Sequence, residues 1–316
     1  MAEILSKEGL KYTGEVQPQP GEFDPSGQPL YPYFPNEDLV EAVNLAIQLE
    51  RPLLLKGEPG CGKTKLARAV AYELELPFQA WYVKSTSRAR DGLYIYDTVG
   101  RLRDAQLAAA KSLPANEDLE QIRDPATYIE WGPLGNAFLS DRRTVVLIDE
   151  IDKADIDFPN DLLLELDERR FFIEETRPRR EVRAKAPPIV LITSNDEKAL
   201  PDAFLRRCLF HYVEFPEEKR LGNIVRAMFP TISQELQKKA VARFLKLRRE
   251  MQQQKGNAGK KVSTSELIDW IDILRRHPED EILEKLEGKL PFPGILLKSW
   301  EDHRRYLARL DSRSRA

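Results

Sequence analysis

The stretch Gly57-Glu58-Pro59-Gly60-Cys61-Gly62-Lys63-Thr64 constrains this chain more than any other. It fits G-x-x-x-x-G-K-[ST], follows the apolar run Pro52-Leu53-Leu54-Leu55-Lys56, and opens the helical pattern Lys65 to Glu75. In that order, strand, glycine loop and helix make a phosphate-binding loop. Glycines let backbone N–H groups curl around phosphate oxygens, and the helix N-terminus adds its positive end. Lys63 supplies a point charge to β- and γ-phosphates, and Thr64 offers a hydroxyl to Mg²⁺. A glycine-rich turn before an ordinary helix would explain the glycines alone, but not the strand, the Lys-Thr pair and the helix together.

A loop of this kind belongs in an α/β fold with a parallel sheet. Short apolar runs (PLLLK, FQAWYV, TVVLID, IVLITSN, HYVEF) alternate with helical patterns from residue 52 to about residue 215. Strands apolar on both faces, with helices between them, predict a three-layer α/β core covered on both sides. The run Thr144 to Ile148 ends in Asp149-Glu150, which puts two carboxylates at the carboxyl edge, where open α/β sheets bind ligands. Asp149 would hold the Mg²⁺ shell and Glu150 would polarise an attacking water. A solvated acidic turn is the plain alternative, since Asp152, Asp155, Asp157 and Asp161 follow closely. A third run, Ile189 to Thr193, ends in Ser194-Asn195, whose amide can orient a water or sense a γ-phosphate; turns also favour asparagine. Arg206 and Arg207, just before the last strand, are placed to reach a neighbouring subunit's phosphates as an arginine finger. Cys61 sits in the loop without a base or a resolving thiol, so it reads as a small filler, as does Cys208.

Around this core the chain divides into four. Residues 1–35 carry six prolines and three glycines from Gly14 onward, which excludes a helix or a central strand; they read as an extended arm with Tyr31, Tyr33 and Phe34 packing near its end. Asn36 is the expected N-cap of a helix striped by Leu39, Val40, Val43, Ala46 and Ile47. The α/β core runs over 36–215. Residues 216–305 contain four helical patterns broken at Pro230, Gly256–Gly259 and Pro278, with a Ser263/Glu266 capping box opening the third: a small all-helical domain. Residues 306–316 read as a frayed, solvated basic tail.

Composition excludes several classes. With 49 Lys and Arg against 52 Asp and Glu the formal charge is −3, which is no polycation of the kind that binds nucleic acid by bulk charge. No apolar run approaches the roughly 20 residues that span a bilayer, and MAEILSKEGL has no signal-peptide core. Two cysteines and three scattered histidines give neither a disulfide framework nor a zinc site. A reducing, cytoplasmic setting is expected.

GEPGCGKT, VVLIDE, ITSN and the Arg206–Arg207 corner, followed by a helical lid, closely resemble an AAA+ ATPase over roughly residues 36–300. The segment from Trp131 to Glu175 and the basic stretch Arg169 to Lys185 resemble the MoxR branch. The resemblance implies a homo-oligomeric ring, usually hexameric, hydrolysing ATP with Mg²⁺ at subunit boundaries and remodelling a partner protein, often one with a von Willebrand A domain. It assigns Lys63 and Thr64 to Walker A, Asp149 and Glu150 to Walker B, Asn195 to sensor 1 and Arg207 to the finger, with Arg206 as the alternative. The family's arginine at the start of a lid helix is missing from Val262-Ser263-Thr264-Ser265-Glu266; no residue in the sequence identifies its replacement.

Two inserts bear on what such a ring acts on. Arg169 to Lys185 holds seven basic and three acidic residues and reads as a hairpin that grips a substrate or lines a rim. Lys84 to Arg103 interleaves Arg88 and Arg90 with Tyr94 and Tyr96, a mixture that can stack on single-stranded nucleic acid or touch protein. The favoured reading is a protein-remodelling motor. The alternative is a nucleic-acid-stimulated motor or loader, GTP-using or defence-related, and a small-molecule kinase is the weaker third. The balanced charge is locally uneven: residues 149–168 hold nine acids and one lysine, and the basic stretch follows at once.

Overall fold

The computed structural model describes residues 9–109, 124–255, 259 and 261–313. It divides into two compact units, one of Met1–Val16, Pro35–Gly57 and Lys63–Tyr212, the other of Gln17–Phe34, Glu58–Gly62 and Val213–Ala316.

The first unit is the expected α/β core. Strands β1 (Leu53–Lys56), β2 (Phe78–Tyr82), β5 (Val145–Asp149), β8 (Ile189–Ser194) and β9 (Leu209–Tyr212) form one sheet in the order β2-β5-β8-β1-β9, and every pairing in it is parallel. Strands β5 and β8 are buried along their whole length, because helices need apolar side chains on both faces of a parallel sheet. Each fully buried valine, leucine or isoleucine is worth about 1.5–3 kcal/mol over leaving it in water, so these unbroken runs anchor the unit. Helix α1 (Glu37–Leu49) starts where expected, with the Asn36 side chain accepting from the Leu39 N–H, and buries Leu39, Val43, Ala46 and Ile47. Helix α2 (Lys63–Glu73) follows the loop.

The last strand differs from expectation. HYVEF predicts pairing over 211–215, but β9 starts at Leu209 opposite Leu53 and ends at Tyr212 opposite Lys56. Its neighbour β1 is only four residues long and turns into the phosphate loop, so β9 has no strand to continue against.

One insert is a hairpin, and the other pairs with a distant segment. Strands β6 (Arg170–Ile173) and β7 (Arg180–Arg183) pair antiparallel, as the basic stretch predicts. Strands β3 (Tyr94–Tyr96) and β4 (Ile129–Trp131) also pair, joining segments whose contact sequence spacing does not announce.

The second unit is helical after residue 217: Glu218–Met228, Gln234–Lys255, Thr264–Leu274, Glu279–Glu287, the short Pro293–Leu296 and Trp300–Arg313. Trp270 is fully buried and donates its indole N–H to Pro291 O at 2.7 Å. The capping box is present, with the Ser263 N–H donating to Glu266 Oε2 at 2.7 Å. The frayed tail is a correction: helix Trp300–Arg313 carries most of it, started by Ser299, whose hydroxyl accepts from the Asp302 N–H at 3.1 Å. Residues 314–316, and the break at 256–259 apart from Gly259, lie outside the described residues. Among the described residues no helix is long and apolar enough to cross a membrane.

The arm is anchored in pieces. In the first unit, Tyr12 is buried and its N–H donates to Asn44 Oδ1 at 2.9 Å. In the second, Tyr33 is buried and its backbone exchanges hydrogen bonds with Gln17. Tyr31, expected to pack, is exposed.

Candidate functional site

In the first unit, β1, β5 and β8 end side by side, and their carboxyl ends gather the polar residues that the sequence singles out. Lys63 opens α2 and is 6% exposed. Its ammonium donates to Gly57 O at 2.6 Å and to Asn195 Oδ1 at 2.8 Å. The same Asn195 amide donates through Nδ2 to Glu150 Oε1 at 2.9 Å. One side chain thus links the loop lysine to the second acid of β5, using both its acceptor and its donor.

Thr64 Oγ1 donates to Asp149 Oδ1 at 2.8 Å. That oxygen also accepts from Thr193 Oγ1 at 2.7 Å, and the Thr193 hydroxyl accepts from the Glu150 N–H at 2.8 Å. A threonine on β8 therefore fixes both acids. Sequence reasoning passes over Thr193, which reads as one more strand residue; its only mark is a hydroxyl amid an apolar run. The convergence of Thr64 and Asp149 supplies hard oxygen donors at the foot of the loop, the donor type Mg²⁺ takes.

Glu150 adopts a left-handed backbone, φ 57° and ψ 52°, unusual for a residue with a Cβ. The turn aims its side chain away from the strand direction, toward Asn195, and Lys153 pairs with its other oxygen. The hydrogen bond and charge of Glu150 push the Lys153 ammonium pKa upward. Asp152 is not part of a solvated acidic turn. It is 2% exposed, and its Oδ2 accepts the N–H groups of Asn195 at 3.1 Å and Glu197 at 2.8 Å, shaping the turn that presents Asn195.

Arg206 and Arg207 lie at the other edge of the sheet. They precede Leu209, which is level with Leu53 at the start of β1, while the phosphate loop leaves the far end of that strand. Four strand residues at about 3.3 Å each separate the two edges, so neither arginine lies beside Lys63, Thr64 and the acids of β5. Both are exposed. Arg207 pairs with Asp167 and donates from Nη1 to Ala203 O at 3.0 Å. Arg51, unmarked in the sequence, donates from Nε to Arg207 O at 3.0 Å and from its other nitrogen to Arg206 O, fixing the corner through its main chain.

Beside this corner, Cys208 is buried. Burial, the largest cause, pushes its thiol pKa up to about 12; Arg51 pulls it down and Asp167 adds to it. At pH 8 about one molecule in 10⁴ then carries the thiolate. Cys208 is expected to resist iodoacetamide in the folded protein and to react after denaturation, as peptide mass spectrometry would show. Rapid native labelling would contradict the filler reading.

Residues 58–62 group with the second unit. There Glu58 pairs with Arg248 and Lys261. Burial raises its carboxyl pKa, but the hydrogen bonds and charges of Lys261 and Arg248 outweigh that and hold it below the usual range. Cys61 is 3% exposed, consistent with a filler. No local signal marks the cations, which lie 190 and 203 residues beyond Glu58. Pro59 is exposed.

The Lys84–Arg103 insert turns its aromatics inward. Tyr94 is 1% exposed; its hydroxyl donates to Glu175 Oε2 and accepts from the Glu174 N–H, each at 2.9 Å. Its ring stacks on Phe171 and under Arg90, 4.6 Å from the centroid. Tyr96 is half-buried, and its hydroxyl accepts from Arg101 at 2.7 Å. The Arg–Tyr interleaving thus binds β3 to the β6–β7 hairpin.

Residues 52–208, which hold this whole arrangement, match the family model for the AAA domain of the dynein-related subfamily. This segment is an AAA domain of the AAA+ ATPase class. A similar protein is the ATP-dependent zinc metalloprotease FtsH 3 of Sphaerobacter thermophilus, 32% identical over 176 residues, or 51% of this chain and 34% of the relative. The chain therefore spans about a third of that protein's length. Among solved structures, the FIGL-1 AAA domain in complex with ADP aligns with 80% of this chain and 74% of its own at 17% identity and a TM-score of 0.44. Within the AAA domain, the family boundary at residue 208 falls on the arginine corner, so Arg206 and Arg207 close the matched segment.

Proposed function

We propose that the AAA domain binds ATP with Mg²⁺ and hydrolyses it between copies of the chain arranged in a ring. The observation that carries this is the linked set Lys63–Asn195–Glu150 beside Thr64–Asp149. Lys63 would face the β- and γ-phosphates, with the loop N–H groups of residues 57–64 around them. Thr64 and Asp149 would hold Mg²⁺, which would supply charge neutralisation for the phosphates. Glu150 would accept a proton from the attacking water, and Asn195 would hold Glu150 and the γ-phosphate side of the site in register. The ATP-dependent relative supports adenine over guanine.

The edge-to-edge separation of the arginines from the loop supports a role in trans, with Arg207, or Arg206 beside it, reaching the neighbour's γ-phosphate. The hairpin β6–β7 and the Trp131–Glu175 segment support a MoxR-like role, in which the ring remodels a partner protein such as one with a von Willebrand A domain. The inward use of Tyr94 and Tyr96 favours this over a nucleic-acid motor.

Glu150→Gln is expected to bind ATP as tightly as the wild type and to hydrolyse it about 10²–10⁴-fold more slowly, because an amide cannot take the water's proton. Binding to a fluorescent ATP analogue and single-turnover hydrolysis check this. Hydrolysis within tenfold of wild type would remove Glu150 from the role.

A further inference from the structure

The Glu58 cluster lies wholly inside the second unit, and the chemistry assigned to Lys63, Thr64, Asp149, Glu150 and Asn195 does not use it. Arg248 comes from the helix Gln234–Lys255 and is 8% exposed. Its Nη1 donates to Val262 O at 2.5 Å, its Cζ lies 3.6 Å from the centre of the Phe215 ring, and its Nη2 pairs with Glu58 Oε2. Lys261, whose side chain is 5% exposed, pairs with Glu58 Oε1 at 2.5 Å. Both carboxylate oxygens are thus committed, one to each cation. The attachment continues along the loop. Gly60 has φ +76°, and a Cβ there would stand 2.4 Å from the Cβ of Ser263, the N-cap of helix Thr264–Leu274. At Gly62, φ +100°, a Cβ would meet the Tyr33 ring at 3.1 Å.

Burying two cations on one carboxylate carries a desolvation cost that apolar packing would avoid, so packing alone does not account for the arrangement. Its position does. For the loop to hold a nucleotide, the N–H groups of residues 58–62 must turn toward phosphate oxygens. The same five residues are held by Arg248, Lys261 and Ser263, which stand on or beside two long helices of the unit. A change of loop conformation at one set of contacts is felt at the other, and such coupling is reciprocal. The stretch 262–266 offers no arginine of its own, whereas Arg248 and Lys261 meet there on a residue of the loop.

We propose that Glu58, gripped by Arg248 and Lys261, is the connection through which nucleotide on the phosphate loop orders the helical unit. The proposal rests on the nucleotide reading and deepens it. Arg248 and Lys261 act through Glu58, as positioning residues.

Hydrogen exchange on the full-length chain, with and without Mg²⁺ and ATP, tests it. In the wild type, ATP is expected to slow exchange in Gln234–Lys255 and Thr264–Leu274 about tenfold, a coupling of ordinary size. Arg248→Gln and Lys261→Gln are expected to lose most of that slowing, and Lys261→Arg to restore it. In a cycle with Glu58→Gln, each double variant should lose no more than the worse single variant, because the residues act as one connection. Retention of the slowing in both cation variants, or strictly additive losses, would overturn the proposal. Should Arg248→Gln fail to fold, Lys261→Gln carries the same test, since Arg248 still packs on Phe215 and bonds Val262 O. A fluorescent ATP analogue separates the two levels. Wild type that binds it while its helices do not respond defeats the connection alone, and wild type that fails to bind it defeats the nucleotide reading as well.

Discussion

Lys63→Ala is expected to abolish measurable ATP binding. Charge-assisted hydrogen bonds are worth about 1.5–3 kcal/mol each, and Lys63 would make at least two to the phosphates. Their loss costs about 3–4 kcal/mol or more, or 10²–10³-fold in Kd, which carries a micromolar site into the millimolar range. The ammonium is nearly buried and is held by the Gly57 carbonyl and the Asn195 amide, so it already stands at the mouth of the loop. Isothermal titration with ATP and Mg²⁺ measures the loss. A thermal melt without nucleotide checks that the variant is folded, since alanine leaves two acceptors without their donor. Binding within tenfold of the wild type would remove Lys63 from the phosphate site.

Arg207→Ala is expected to bind ATP normally and to lose about 10³–10⁵-fold in kcat, the worth of an arginine finger, or about 4–7 kcal/mol. Binding survives because the residue lies across the sheet from its own subunit's loop. The sharper test mixes variants. Arg207→Ala subunits keep their own loops, and Lys63→Ala subunits keep their arginines. In a ring of heterologous contacts assembled at random from equal amounts, about a quarter of the interfaces pair an intact loop with an intact arginine. Activity should therefore return on mixing two nearly inactive preparations. No recovery in verified mixed assemblies would show that Arg207 does not act in trans. Arg206→Ala run in parallel decides between the neighbours.

The sequence made the α/β core legible because its signals are local. Three doubly apolar runs give β1, β5 and β8, and the loop motif fixes where β1 ends. Asp149, Glu150 and Asn195 follow at strand ends, so the order of residues alone puts each at the sheet's carboxyl edge, and the β5–β8 pairing brings them together. What escaped has a common cause. Thr193, Arg51 and Asp152 work through partners that the fold brings together, and their own neighbours in the chain carry no sign of it. Arg51 contacts Arg206 and Arg207 across about 155 residues, and β3 finds β4 across the chain in the same way. The aromatic insert left two readings open, nucleic-acid or protein contact. Interleaved arginine and tyrosine suit a nucleic-acid surface, but pattern alone cannot distinguish a ring facing outward from one stacked on Phe171. HYVEF misplaced the last strand because a strand's length is set by its neighbour as well as by its own propensity.

The grip of Arg51 on the carbonyls of residues 206 and 207 has a further consequence. Main-chain carbonyls are the same whatever side chain sits beside them, so the corner is expected to act as a socket whose plug can be exchanged. A subunit could be given a different residue at 207, and a neighbour a matching change at its loop, without rebuilding either face. In the proposed ring, active and silent interfaces could then be set in a chosen order from this one chain.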